Sequence, residues 1–216
     1  MKRSTILLLS LFLIACFSCS NNTKTEFWSN GNKKSRFSLK EGKMEGPATW
    51  WYENGNRQLE CNYADSVLNG PFTRYFQNGR KQEETNYVSG KKEGNSLTWF
   101  ADGKPESSIS FFKGIENGPY RLYYPNQVIK VQGQYVMGLM TGKWLYYDHD
   151  GIIIGEGNFR HGDGLLRHFY YDGKIQAEAG FRNNQKDGVE TEFDENGNIT
   201  SKKTYVNGDV NNDKNK

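Results

Sequence analysis

The sequence is poor in the residues that usually tie an exported chain together or give it chemistry. Of 216 residues, 3 are cysteines, and only Cys61 lies beyond the first 20. A lone cysteine excludes an internal disulfide framework and leaves no cysteine spacing for a metal. Proline occurs 5 times and histidine 3 times. Neither sign of charge dominates: the formal net charge is +3, and Lys2 and Arg3 contribute two of those units. Such a balance gives no electrostatic case for nucleic acid. Hydrophobic residues make up 35% of the chain, few for one large core. The longest apolar run, Ile6 to Ala15, is too short to cross a bilayer in the usual way. After it, no stretch of any length has helical spacing.

What is abundant is aromatic residues, at 14%, and glycine, 24 in number. That pairing points to short strands and tight turns. The opening MKRSTILLLSLFLIACFSCS reads as an export signal, with a charged start and a short apolar core. Leu13-Ile14-Ala15-Cys16 resembles the bacterial lipobox, in which the cysteine sulfur receives lipid. Cys16 is the expected attachment point and Cys19 the alternative. Each buried CH₂ of an acyl chain contributes about 0.8 kcal/mol, so several chains together hold firmly. The expected organisation is a signal peptide over 1–15, a lipidated tether over 16–26, a repeat array over 27–208 and a polar disordered tail over 209–216. The expected location is the cell membrane or outer membrane.

The repeat emerges when the glycines are aligned. An Asn-Gly or Asp-Gly position recurs at Gly31, Gly55, Gly79, Gly103, Gln127, Gly151, Gly173 and Gly197, every 24 residues except for one step of 22. Four residues before each is an aromatic: Phe27, Trp51, Tyr75, Trp99, Tyr123, Tyr147, Phe169, Phe193. Eight residues after each is Leu39, Tyr63, Tyr87, Phe111, Tyr135, Phe159, Phe181 or Tyr205. A second glycine follows at Gly46, Gly70, Gly94, Gly118 and Gly142, and early, at Gly164, in the sixth unit. Between turns, polar and apolar residues alternate, as in Ile129, Val131 and Tyr135 against Lys130, Gln132 and Gln134. Period two marks a strand with one buried face.

Each unit therefore reads as a β-hairpin. Asn-Gly predicts a tight type I′ turn, since both central residues need positive φ. The glycine-flanked segment predicts a wider turn at the other end, and the two residues missing from the sixth unit fall there. One hairpin is too small to be stable alone. Neighbours must pair edge to edge, and the two fixed aromatics of each unit are expected to form one shared row of rings. The fold class is all-β: an elongated antiparallel β-meander of about eight hairpins.

These offsets resemble the MORN repeat family, in its bacterial variant. Tyr75-Phe76-Gln77-Asn78-Gly79, then Tyr87-Val88-Ser89-Gly90 and Gly94, fits its aromatic-x-x-Asn-Gly … aromatic-x-x-Gly-x-x-x-Gly unit. The resemblance covers about 27 to 208, with departures at Gln127, Ser66 and Asn184. It implies an extended meander, and exported proteins of this type are grouped with the YwqK-like antitoxins.

No catalytic set emerges. His149, His161 and His168 fall near turns, and Glu83-Glu84 are strand neighbours that face opposite ways. Asp148-His149-Asp150-Gly151 echoes part of a calcium loop but lacks its distal glutamate. No enzyme activity, cofactor or metal is expected. The candidate binding face is a second aromatic set, Tyr52, Phe76, Phe100, Tyr124 and Tyr170, interrupted by Asp148 and ended by Asp194. Either the sheet buries both faces, or these rings form an exposed ladder. The expected function is a non-enzymatic, lipid-anchored scaffold binding an envelope or secreted protein, with a toxin as one such partner. The alternative is a module binding peptidoglycan or polysaccharide through the ladder.

Overall fold

A computed structural model of the protein describes residues 22–211. Among these, every regular element is a strand. The first units comprise β1 (Asn22–Phe27), β2 (Lys33–Lys40), β3 (Lys43–Met44), β4 (Gly46–Trp51), β5 (Arg57–Ala64) and β6 (Val67–Tyr75). The middle holds β7 (Lys81–Val88), β8 (Lys91–Trp99), β9 (Pro105–Phe112), β10 (Ile115–Tyr123), β11 (Ile129–Val136) and β12 (Leu139–Tyr147). The chain closes with β13 (Ile153–Arg160), β14 (Asp163–Phe169), β15 (Ile175–Arg182), β16 (Gln185–Phe193), β17 (Ile199–Val206) and β18 (Asp209–Val210).

Every strand pairs antiparallel with its neighbours in sequence, β3 and β4 together forming one interrupted strand beside β2. The result is one open meander of 18 strands. At about 4.8 Å per strand it extends roughly 75 Å. β1 begins at Asn22 and β18 ends at Val210, so pairing starts inside the expected tether and ends inside the expected tail. The export signal, Cys16 and Cys19 lie outside the described residues.

The two kinds of turn exchange roles relative to the sequence expectation. At the Asn-Gly end only the glycine position has positive φ, as at Gly55 (87°) and Gly79 (84°). Gly55 N–H donates to Tyr52 O (2.9 Å) and Tyr52 N–H to Asn56 O (2.8 Å). This is the three-residue loop, a type I turn closed by a left-handed residue and a bulge. A register shift follows at Trp50/Trp51 and at the same place in the other hairpins. Type I′ pairs occupy the other end: Ser89-Gly90 (48°, 78°), Met137-Gly138 (49°, 80°), and Asn183-Asn184 (49°, 67°) without glycine.

The short sixth unit also differs from expectation. Its turn, His161-Gly162, keeps the same two left-handed residues as the others. What is missing is a bulge. β7 and β8 shift register between Glu84↔Leu97 and Asn86↔Glu93, whereas β13 and β14 pair without a shift from Gly155↔His168 to Arg160↔Asp163. The shortening lets Asn184 reach across a whole unit. Its Oδ1 accepts from Met140 N–H (2.8 Å) and its Nδ2 donates to Gly138 O (2.7 Å).

A single layer has no second sheet to cover it, so burial comes from side chains packing sideways on one face. That face carries two apolar clusters. Ala48, Cys61 and Phe72 form one; Met140, Trp144, Phe159 and Leu166 form the other. The aromatics eight residues past each turn belong here: Tyr63 meets Trp50, Tyr87 meets Phe72, and Tyr135 meets both Tyr120 and Trp144. The aromatics four residues before each turn do not. Trp51 follows Trp50 on the same strand and points to the opposite face. The expected single row is thus two rows on two faces, the second half-buried, with Lys33 over Trp51 and Lys81 over Trp99.

Polar groups close both ends of the packed strip, as terminal repeats require. Ser35, 1% exposed, donates to Glu26 at the start. Near the other end, Lys186 and Tyr205 both contact Glu190, and Lys203 pairs with Glu192.

Candidate functional site

The candidate rings sit in a line along the Asn-Gly edge, each just past the end of a strand. Two residues after positions such as Trp50, they share the face of the buried clusters. All five are half-buried. The three tyrosines among them share a repeated tie. Tyr52 Oη donates to Tyr75 O (2.8 Å), Tyr124 Oη to Tyr147 O (2.9 Å) and Tyr170 Oη to Phe193 O (2.7 Å). Trp28 plays the same part in the first unit, through Nε1 to Trp51 O (3.1 Å). Phe76 and Phe100 occupy the position without a hydroxyl. Where the ring is replaced by Asp148, its carboxylate accepts from the Asp150 and Ile152 amides (2.9 Å each). That accounts for the partial calcium-loop pattern.

The turn residues explain the Asn-Gly repeat. Asn54 Oδ1 accepts from Asn56 N–H (3.0 Å), holding its own turn, while Asn54 Nδ2 donates to Gln77 O (2.9 Å) in the next one. Asn56 Nδ2 donates to the same carbonyl (2.9 Å). An aspartate can do only the first of these jobs. Two Asp turns carry lysine two residues on, and its ammonium supplies the missing donor: Lys104 to Pro125 O (3.2 Å) and Lys174 to Glu195 O (2.8 Å). The opposite edge is laced the same way. Glu93 accepts from Lys113 N–H (2.8 Å), Asn117 from Met137 N–H (3.0 Å) and Asp163 from Asn183 N–H (2.9 Å).

The histidines lie apart in role. His149 stacks on Tyr124 with centroids 4.1 Å apart, His161 opens a left-handed turn, and His168 faces Tyr146 at 6.2 Å. Glu83 pairs with Lys92 (2.7 Å) while Glu84 pairs with Lys81, so the adjacent carboxylates do face apart. Among the described residues no group of His, Cys, Asp and Glu could hold a metal ion. Burial pushes the Cys61 thiol up, and burial beside Cys61 takes the Tyr63 hydroxyl up to about 12, so neither ionises near neutrality.

Open grooves lie beside the tied rings. One of about 360 Å³ runs between Trp50, Tyr52 and Arg74; one of about 300 Å³ between Phe100, Tyr124, Glu106 and Lys130; one of about 410 Å³ between His168, Tyr170 and Glu192. Each joins a ring wall to polar groups from two consecutive units. The sequence did single out these rings, but not that their hydroxyls are already engaged; the regular 23-residue reach from ring to carbonyl appears only in the paired sheet.

A model of the MORN repeat variant matches residues 44–65, 68–89, 140–161, 162–183 and 186–207, together just over half of the chain. It passes over 90–139, between its second and third matches. No curated protein matches the sequence.

Proposed function

The chain belongs to the MORN repeat variant family, and from that premise we propose that it is a non-catalytic, lipid-anchored scaffold that holds a protein partner at the bacterial cell envelope. The observation that carries this reading is the use made of the polar side chains. Turn asparagines, lysines and ring hydroxyls are engaged between units, and extended surface remains for a ligand. The anchor rests on Leu13-Ile14-Ala15-Cys16, with Cys19 the alternative attachment point. Labelled palmitate incorporated into the full chain, lost in Cys16→Ser and kept in Cys19→Ser, is the expected result; no labelling in either background ends the anchor reading. A toxin of the same or a rival cell is the narrower partner class. Cells lacking the protein would then be killed by that toxin, and unchanged survival counts against it. For the broader reading, cross-linking of the full chain in its own cells should give adducts to an envelope or secreted protein. Chains that remain uncoupled would overturn it.

A second reading, glycan binding, is favoured by the ring-walled grooves at Tyr52, Phe100 with Tyr124, and Tyr170. Aromatic faces stack on sugars, and the polar rims supply hydrogen bonds. Co-sedimentation with cell-wall material should survive Tyr52→Phe with Tyr124→Phe, which keep the rings, and fail in the two alanine variants.

A further inference from the structure

The three ring-walled grooves differ in charge. Glu106 and Lys130 both line the one beside Phe100 and Tyr124, and Glu192 and His168 line the one beside Tyr170. The groove of about 360 Å³ is lined by Trp50, Tyr52, Gln58, Leu59, Arg74 and Gln82: a cation and two amides, with no carboxylate. Strand register builds it. Ser35, Trp50, Leu59, Arg74 and Glu83 lie side by side across β2, β4, β5, β6 and β7. Glu83 faces Arg74 from β7, but its carboxylate is held by Lys92 at 2.7 Å. Glu60 follows Leu59 and so lies on the other face, where Tyr75 and Arg57 reach it. Arg74 leans instead over the Phe72 ring, 5.7 Å from its centroid. Among the described residues its guanidinium makes no ion pair or hydrogen bond, and the side-chain amides of Gln58 and Gln82 make no hydrogen bond either.

The walls are fixed before any ligand arrives. Tyr52 is held by its Oη bond to Tyr75 O (2.8 Å), and Trp50 is braced edge-on by Tyr63, with centroids 6.4 Å apart. Uncommitted polar groups in a fixed frame lose little freedom on binding. Lys92 neutralises Glu83, so the charge the groove presents is that of Arg74. A planar guanidinium takes a carboxylate through two parallel hydrogen bonds. The two amides each offer a donor and an acceptor, which is what neighbouring sugar hydroxyls require. The ring walls supply the apolar face on which a pyranose lies. We propose that this groove binds an acidic saccharide, with a sugar ring against Trp50 and Tyr52 and its carboxylate on Arg74. This rests on the glycan reading above and names its ligand class.

The test passes the detergent-extracted full chain over immobilised glycans whose sugars carry a carboxylate, as a uronate, a sialate or a lactyl ether. The methyl ester of each and poly-glutamate are run beside them. The expected result is retention on at least one acidic glycan, about tenfold weaker on its ester, as loss of a charge-assisted bond predicts. That comparison needs no variant. Arg74→Gln should weaken binding of the acid by about the same factor and leave the melting curve unchanged. Gln58→Ala with Gln82→Ala should weaken acid and ester alike. Equal retention on acid and ester, equal retention on poly-glutamate, or retention of the acid untouched by Arg74→Gln would overturn the proposal. Retention on neutral glycans alone, lost in Tyr52→Ala, sinks the acidic class and leaves the glycan reading standing. Retention on no glycan sinks both.

Discussion

The flanking units and the central units share one backbone plan and differ in where they put apolar surface. In the flanks the inward row is Ala48, Cys61 and Phe72, or Trp144, Leu166 and Ala179, all buried. In the centre it is Thr85, Ser96 and Ser107, bridged by Thr98–Ser107 at 2.7 Å and by Lys92, which reaches Glu83 at 2.7 Å and Ser96 at 3.3 Å. The family match includes Thr85, within 68–89, and passes over Ser96 and Ser107, within 90–139. The difference teaches that hydrogen-bonded turns and ladders suffice to keep the array continuous. Sideways packing adds stability unit by unit, as expected of a nearly one-dimensional array.

The comparison can be broken most forcefully at Trp144, 2% exposed beneath Tyr120 and Tyr135. Trp144→Ala should cost about 3–5 kcal/mol. Hydrogen exchange should speed in β10 to β16 and stay unchanged in β4 to β6; equal acceleration in both would deny that the clusters are independent. Next in size is Gly133→Ala. A Cβ there would lie 2.2 Å from the Trp144 ring, so the indole must move. A loss of about 1–3 kcal/mol is expected from such overpacking, read by denaturant unfolding.

The central units invite the opposite change. Thr85 Oγ1 is buried with no hydrogen-bond partner. Thr85→Val keeps the shape and removes the unpaired hydroxyl, so stability should rise by about 1 kcal/mol. A fall in denaturation midpoint would show that the polar row is held by its hydroxyls, as at Thr98 and Ser107, and would sharpen the contrast with the flanks.

How much of this was legible follows from what each signal encodes. The all-β meander and its units were readable because eight registers repeat one spacing. The turn types were not, because Asn-Gly satisfies either geometry and the true type I′ pairs hide behind Met137, Lys113 and His161, residues that seldom take positive φ. The two-residue shortening was placed in a turn because loops tolerate deletion, whereas it removed a strand bulge that only pairing reveals. The faces were misread for a related reason. The aromatic before each turn is invariant because it sits at the bulge, while the buried row varies freely from Ala48 to Phe72 to Ser96 to Trp144. Constancy marked the turn, and the packing signal lay in the alternation three positions earlier. The grooves and the ties between turns join residues 21 to 23 apart, which no local pattern displays.

The smallest expected effect separates the asparagine turns from the aspartate turns by acid. Units one to three, and unit five, turn on Asn30, Asn54, Asn78 and Asn126, whose amides do not titrate; Asp102 and Asp172 take that place in units four and seven, and Asp194 holds the eighth turn from the ring position. The Lys104 and Lys174 backbone amides hold the Asp102 and Asp172 carboxyls below the usual range, and the Asn198 side-chain amide does so for Asp194. A carboxyl whose folded pKa is depressed contributes stability above its unfolded pKa, and that contribution disappears as pH falls through the folded value. On acidification, turn amides around Lys174 and Asn198 should therefore exchange faster than those around Asn32 and Asn56. Asp172→Asn should abolish the difference at Lys174, because the asparagine oxygen still accepts from the Lys174 N–H and the Lys174 ammonium still reaches Glu195 O at 2.8 Å. If the variant opens at the same pH as the parent chain, the aspartate turns are not where acid enters the array.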